Sequence, residues 1–317
     1  MHDRRFRFGL SVGSAASRSA WHDLARRTES AGFDVLLAAD HLVDDAYPPL
    51  PALLSAAEAT EALHVGTYVL NNDFRHPVVL AREAVALGAL TEGRFELGIG
   101  AGHMKSEYDQ AGIAFDRAGV RVDRLEESVA IIKGLLAGEE VSFEGRHHQV
   151  QRHRAWPVPI EGTTVPLLVG GNGHRVLALA ARHADAVGFV GFAHNHDATE
   201  VHLSHFTAAG LDAQVAWVRD QAGDRFDRLE LSLLVQRVDI TGDRRAAAVR
   251  VKAHMPALSV DDVLDSPYVL LGTPAQIADQ LRERRERFGV THWVTFGERP
   301  GSDQRVETMA PVIELLR

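Results

Sequence analysis

The chain of 317 residues is 45% hydrophobic and 24% charged, the balance of a soluble protein that buries a substantial core. A net charge of -9 gives no reason to expect nucleic acid or anionic membrane as partner, and the absence of cysteine rules out disulfides, zinc–thiolate sites and iron–sulfur clusters. No run approaches the ~20 apolar residues of a membrane span, and the basic start MHDRRFRFGLS lacks the apolar stretch of a secretory leader. The expectation is a cytoplasmic protein acting on a small molecule. Lys105, Lys133 and Lys252 are the only lysines, so the many arginines read as a codon bias before they read as function.

Short apolar runs alternate with longer amphipathic ones. Phe6 to Val12 reads as a strand and Ser19 to Ala31 as a helix with Ala20, Trp21, Leu24 and Ala25 on one side, stopped by Gly32. Val35 to Ala39 reads as a buried strand ending in Asp40-His41, and His64 to Leu70 as the next. Pro77 opens a helix at its first turn, where its missing N–H has no partner to lose. Phe95 to Ile99 follows as a strand and Asp123 to Leu136 as a strongly periodic helix. Pro166 to Val169 runs into GGNGH and a helix to Ala184. Strands at Ala186 to Phe192, Leu229 to Val238 and His292 to Phe296 alternate with helices near 213–219, near 246–253, at 274–288 and at 306–316.

These strands are rich in Val, Leu, Ile and Phe without polar alternation, as in a parallel sheet covered by helices. About eight strand–helix units fit an α/β fold of (β/α)8 TIM-barrel type, with the doubly wound sheet as rival. The polar, turn-rich segment of about 139–165 reads as an insertion between strands 4 and 5, in one domain over residues 1–317.

In a parallel barrel, functional groups come from the carboxyl ends of strands. Asp40 and His41 sit at such an end, where a carboxylate beside an imidazole suits proton transfer near neutral pH. His103 is placed similarly after the fourth strand. Gly170, Gly171, Asn172 and Gly173 follow a strand and open a helix, so several amide N–H groups converge with the positive helix end behind them. That pattern fits a phosphate cradle. No Gly-Lys-Ser/Thr follows, so it is not a nucleotide P-loop, and Gly98, Gly100 and Gly102 are spaced wrongly for a dinucleotide fingerprint.

With these pieces in order, the chain resembles the bacterial luciferase-like flavin-dependent oxidoreductases, and within them the branch using the deazaflavin F420. LLAADHL (36–42), HVGTYVL (64–70), RHPVVLAREAVALGALTEGRFELGIGAGH (75–103), EYDQAGIAF (107–115), DRLEESVAIIKGLL (123–136), LLVGGNGHRVLALAARHADAVGF (167–189) and GTPAQIADQLRERRERFGVTHWV (272–294) carry the likeness. The resemblance implies a barrel with an insertion between strands 4 and 5, a homodimer, and F420 (alternatively FMN) across the carboxyl end. Asp40 and His41 would face the ring edge. Thr67, Tyr68 and Val69 would form a bulge backing the ring, with a non-proline cis bond at Tyr68–Val69. Gly100, Ala101 and Gly102 would run along the ring and ribityl chain, and Gly170 to Gly173 would receive the phosphate.

The F420-dependent sugar-phosphate dehydrogenases carry a Glu where this chain has His103, an Asn where it has Ser106, and a Trp after the Asp-His pair where it reads LVDDAYPP. A sugar-phosphate substrate is therefore not supported, and His41 or His103 is left to handle the proton. Hydride transfer between F420 and an organic substrate is the leading expectation, with an FMN-dependent monooxygenase as alternative. A metal-dependent hydrolase using His194, His196 and Asp197, with His202 and His205 nearby, is remote. Barrel hydrolases of that type place the His pair on the first strand and an Asp on the last. A barrel that only binds a ligand is the remaining reading.

Overall fold

The computed structural model describes residues 4–42, 46–156, 164–195, 200–203, 205–297 and 306–317. Eight parallel strands follow one another around a ring: β1 (Arg7–Val12), β2 (Val35–Ala38), β3 (His64–Thr67), β4 (Phe95–Gly100), β5 (Leu167–Gly170), β6 (Ala186–Phe189), β7 (Glu230–Leu234) and β8 (Val290–Phe296). Pairing of β8 with β1, from Arg7↔His292 to Ser11↔Phe296, closes the ring and leaves no edge. An open doubly wound sheet would keep two edges, so the structure is a TIM barrel.

The helices form where local chemistry directs. Helix α1 (Arg18–Ser30) starts where the Ser17 hydroxyl accepts from the Ala20 amide, and Gly32 at φ +85° follows its end. Helix α2 (Pro49–Ala57) lies in a stretch that the sequence reading left without an element. Its prolines mask the periodicity, yet Pro49 costs nothing in a first turn. Helix α3 (Pro77–Leu90) begins as expected, with the His76 ring as acceptor for the Val78 amide. Beyond β4 come α4 (Lys105–Ala111) and the long α5 (Ala118–Leu136), then a hairpin of Val141–Glu144 with Gln149–His153. The Glu127 carboxylate of α5 accepts from the amides of Arg146, His147 and His148 and fastens the hairpin turn. Residues 157–163 of the expected insertion lie outside the described residues.

The long seventh strand expected over 229–238 divides. After Leu234 the amides of Gln236 and Arg237 turn to the Tyr268 carbonyl, and Arg237–Ile240 pairs with Val269–Gly272 outside the barrel. The terminal helix is a 3-10 turn, Val306–Thr308, and a short helix, Ala310–Glu314.

Outward side chains such as Phe8, Leu10, Leu36, Ile99 and Val187 pack under the helices, each worth about 1.5–3 kcal/mol of apolar burial. A separate, smaller cluster of Val35, Leu37, Tyr68, Leu168, Ala186 and Val294 fills the interior. At the amino-terminal end the interior turns polar. Arg7 reaches across from β1 to hydrogen-bond Glu230 of β7 at 2.6 Å and Glu96 of β4, while His64 Nδ1 lies 3.0 Å from Glu96. Burial by itself would raise the Glu96 carboxyl, but the His64 hydrogen bond and the Arg7 charge outweigh it and hold the group at about 2. The stability this carboxylate contributes is present above its ordinary 4.5 and lost as pH falls through about 2. Glu96→Gln is expected to lower stability at pH 7 and to flatten the decline in melting temperature between those limits, measured by calorimetry across pH.

Candidate active site

The carboxyl ends of β2 to β5 meet in one place. Asp40, just past β2, is buried, and its Oδ2 accepts from Arg75 Nη1 at 2.5 Å and from the Asn71 amide at 3.1 Å. It ties the end of β2 to the chain leaving β3. Asp40 is therefore not the partner of His41 that the sequence suggested. His41 Nδ1 lies 2.8 Å from Glu107 Oε1, on a side chain buried in α4. An ionised carboxylate can only accept, so Nδ1 carries the hydrogen and Nε2 is left for chemistry.

Glu107 is held in place by its neighbour. The single O–H of Tyr108 is shared between Asn71 Oδ1 at 2.9 Å and Asp73 Oδ2 at 3.0 Å, locking α4 onto the end of β3. Burial raises the Tyr108 hydroxyl, so it stays protonated as a donor. His103 is exposed, and its ring stands edge-on to His41 with centroids 5.7 Å apart. The fold thus brings both histidines together. The sequence reading missed Glu107, Arg75 and Tyr108. All three stand far along the chain from the pair they serve, with no periodic signal linking them.

The bond Tyr68–Val69 is cis, as the resemblance implies. The Thr67 hydroxyl accepts from the Gly98 amide and donates to the Gly98 carbonyl, both at 2.8 Å. This draws the two backbones so close that a Cβ on Gly98 would lie 2.2 Å from the Thr67 carbonyl oxygen. A Cβ on Gly100 would stand 2.9 Å, and one on Gly170 3.1 Å, from the Val69 methyls. These glycines vacate the volume that the Val69 side chain occupies. Tyr68 crosses the interior to Ser232 of β7 at 3.0 Å. Ala101 is half-buried, and Gly102, at φ +75°, turns the chain where a Cβ would strike the Tyr108 hydroxyl.

After β5 the cradle is narrower than the glycines suggested. The Gly171 amide donates to the Gly188 carbonyl at 3.1 Å, and a Cβ there would meet Val176 at 2.8 Å. The Asn172 side chain is buried, donating to the Phe192 carbonyl and accepting from Gln214 at 3.2 Å. Both residues therefore shape the turn. Helix α6 (His174–His183) starts at Gly173 with no side-chain cap, and Gly173, His174 and Arg175 are exposed. The first-turn N–H groups of α6 are left without an intrahelical acceptor.

The histidine loop offers less. Ala193–His194 pairs with Val201–His202, while His196 and Asp197 lie outside the described residues. Among the described residues no group of three or more His, Asp and Glu could hold a metal ion, and no helix is long and apolar enough to cross a membrane.

A family model described as luciferase-like monooxygenase matches residues 5–292. The chain belongs to that family. It is 32% identical over 249 residues to an F420-dependent glucose-6-phosphate dehydrogenase of Nakamurella multipartita, covering 76% of this chain and 70% of the relative. A Microbacterium testaceum protein of the same description is 35% identical over 170 residues, 51% of this chain and 50% of that one. Among solved structures, an F420-dependent secondary alcohol dehydrogenase in complex with an F420–acetone adduct superposes with TM-score 0.77 at 18% identity, over 99% of this chain and 100% of that one. A long-chain alkane monooxygenase superposes at 0.75 and 16% identity, over 99% and 91%. At such identities the structures support the luciferase-like barrel and no more.

Two outcomes follow from this geometry. Glu107→Gln is expected to raise the share of the Nε2–H tautomer of His41, read from ring nitrogen NMR shifts. Unchanged shifts would remove Glu107 as its anchor. Gly98→Ala is expected to cost about 3 kcal/mol in denaturant unfolding, because backbone rather than a flexible side chain would have to move. Gly173→Ala, whose Cβ would meet nothing within 4 Å, is expected to cost less than about 1 kcal/mol.

Proposed function

We propose that this protein is an F420-dependent oxidoreductase, with His41 handling the proton and Glu107 positioning it. The observation that carries the reading is the His41–Glu107 pair standing at the same barrel end as the Val69 bulge and the uncapped start of α6. That end fits a tricyclic ring with an anionic arm. Val69 offers an apolar surface backed by glycines, and the α6 amides offer donors for a phosphate. When bound, the deazaflavin supplies the carbon that exchanges a hydride with the substrate.

The chain's own part is position and proton management. Glu107 holds Nδ1–H, so His41 Nε2 takes the proton of a substrate hydroxyl on oxidation or returns it to a carbonyl oxygen on reduction. His103, edge-on to His41, lies on the open side and contacts the substrate. Asp40, engaged by Arg75 and the Asn71 amide, fixes the strand ends rather than the proton. Gly100, Ala101 and Gly102 line the ring's path, and Gly170 to Gly173 set the turn that presents the α6 amides. The F420-dependent relatives at 32% and 35% identity support the deazaflavin. The second reading is an FMN-dependent monooxygenase, its reaction taken from the family's description and its FMN from the resemblance.

The test is fluorescence titration of the purified protein with F420 and with FMN. Tight binding of F420 with weak or absent FMN binding is expected; the reverse would overturn the proposal in favour of the monooxygenase. His41→Ala is expected to lower turnover by about 100-fold while leaving F420 affinity within about two-fold.

A further inference from the structure

A second concave site lies at the barrel end opposite His41. A cavity of about 170 Å³ opens among Arg7, Glu96, Asp185, Glu230 and His292, with Pro166, Leu167, Leu168 and Ala186 completing its wall. His292 of β8 is 2% exposed and lines this cavity, and neither of its ring nitrogens has a hydrogen-bond partner. The nearest acid, Glu230 Oε2, is 3.9 Å from Nδ1. Burial pushes His292 below its usual value and the Arg7 charge adds to this, against the pull of Glu230, Glu96 and Asp34. At neutral pH the ring is thus uncharged, with one nitrogen donating and the other needing a donor.

The rest of the lining is anionic: three carboxylates face one guanidinium. Arg7 engages one oxygen each of Glu96 and Glu230, and Asp185 accepts the Leu167 amide at 2.9 Å. Arg7 thus engages Glu96 Oε1 and Glu230 Oε2 and not their second oxygens. Side-chain exposures of 17% for Glu96, 18% for Glu230 and 23% for Arg7 leave a path from solvent. A bare metal ion is not favoured, since no three of these groups converge on one point. Water would satisfy the hydrogen bonds but not the charge.

We propose that this cavity binds a small cation bearing N–H donors, ammonium itself or a primary ammonium head, with His292 and Glu230 as acceptors. One N–H would go to the unprotonated His292 nitrogen and one to Glu230, 3.9 Å from that ring, with the remaining N–H groups facing water. The donor requirement separates this class from alkali cations, and the cavity volume limits it to a few heavy atoms.

The experiment is thermal unfolding of the full chain at pH 7.5 and constant ionic strength, with sodium chloride replaced stepwise by ammonium, methylammonium or tetramethylammonium chloride. A saturable rise of about 2 °C is expected with ammonium or methylammonium, which also tells the inorganic ion from an amine head by which saturates lower. No rise is expected with tetramethylammonium, which has no N–H. Glu230→Gln, nearly isosteric, and His292→Phe are expected to abolish the rise. Should His292→Phe fail to fold by circular dichroism, Glu230→Gln decides alone. The proposal is overturned by no rise beyond sodium, by an equal rise with tetramethylammonium, or by a rise that survives Glu230→Gln.

Discussion

The candidate active site depends on how closely the end of β3 lies against β4. One hydroxyl, that of Thr67, bonds both the amide and the carbonyl of Gly98, and only the missing Cβ of that glycine lets the strands come so near. Val69 then projects into space that Gly100 and Gly170 leave free, and Tyr68 turns inward to Ser232. From this contact the chain continues to Asn71, whose amide reaches Asp40 and whose side chain accepts from Tyr108. Tyr108 in turn sets α4, and α4 presents Glu107 to His41. Steric exclusion at one glycine is thereby transmitted over several hydrogen bonds to the orientation of an imidazole.

The two ends of the barrel use charge differently. At the carboxyl end Asp40 holds Arg75, Glu107 holds His41, and Asp73 pairs with Arg124 at 2.6 Å. Such pairing fixes geometry, and the proposed function assigns the ligand to the histidine ring edge and the α6 amides. At the amino end acids outnumber the base and a buried histidine goes without a hydrogen bond. In TIM barrels the carboxyl face is the usual place for chemistry and the amino face for stability. A polar, hollow amino end therefore departs from a plain hydrophobic plug.

Much of the architecture was legible in the sequence because its signals are local. Apolar runs without alternation mark strands covered on both faces, and Pro77, Gly32, Thr273 and Gly289 punctuate helices where capping physics requires. Asp40, His41, His103 and the glycine turns were legible as strand-end groups. Their partners were not. The Asp40–His41 adjacency suggested a pair, yet neighbouring residues leaving a strand point different ways, so each found a partner 35 or 66 positions away. Gly170 and Gly171 suggested amide donors, whereas they answer mainly to the bulk of Val69 and Val176, while Gly98 admits the Thr67 carbonyl and Gly100 the Val69 side chain.

The order of strands and helices and the rim residues were thus determined by the chain's own local patterning, since hydrophobic period and turn chemistry act over a few residues. Tertiary structure alone decided that Glu107 rather than Asp40 holds His41, that Arg75 neutralises Asp40, and that Arg7, Glu96, Glu230 and His292 surround one hollow. Those outcomes depend on which strand ends closure of the barrel sets side by side. Hydrogen bonds and charges act across space, and no short-range period encodes the distances that closure creates.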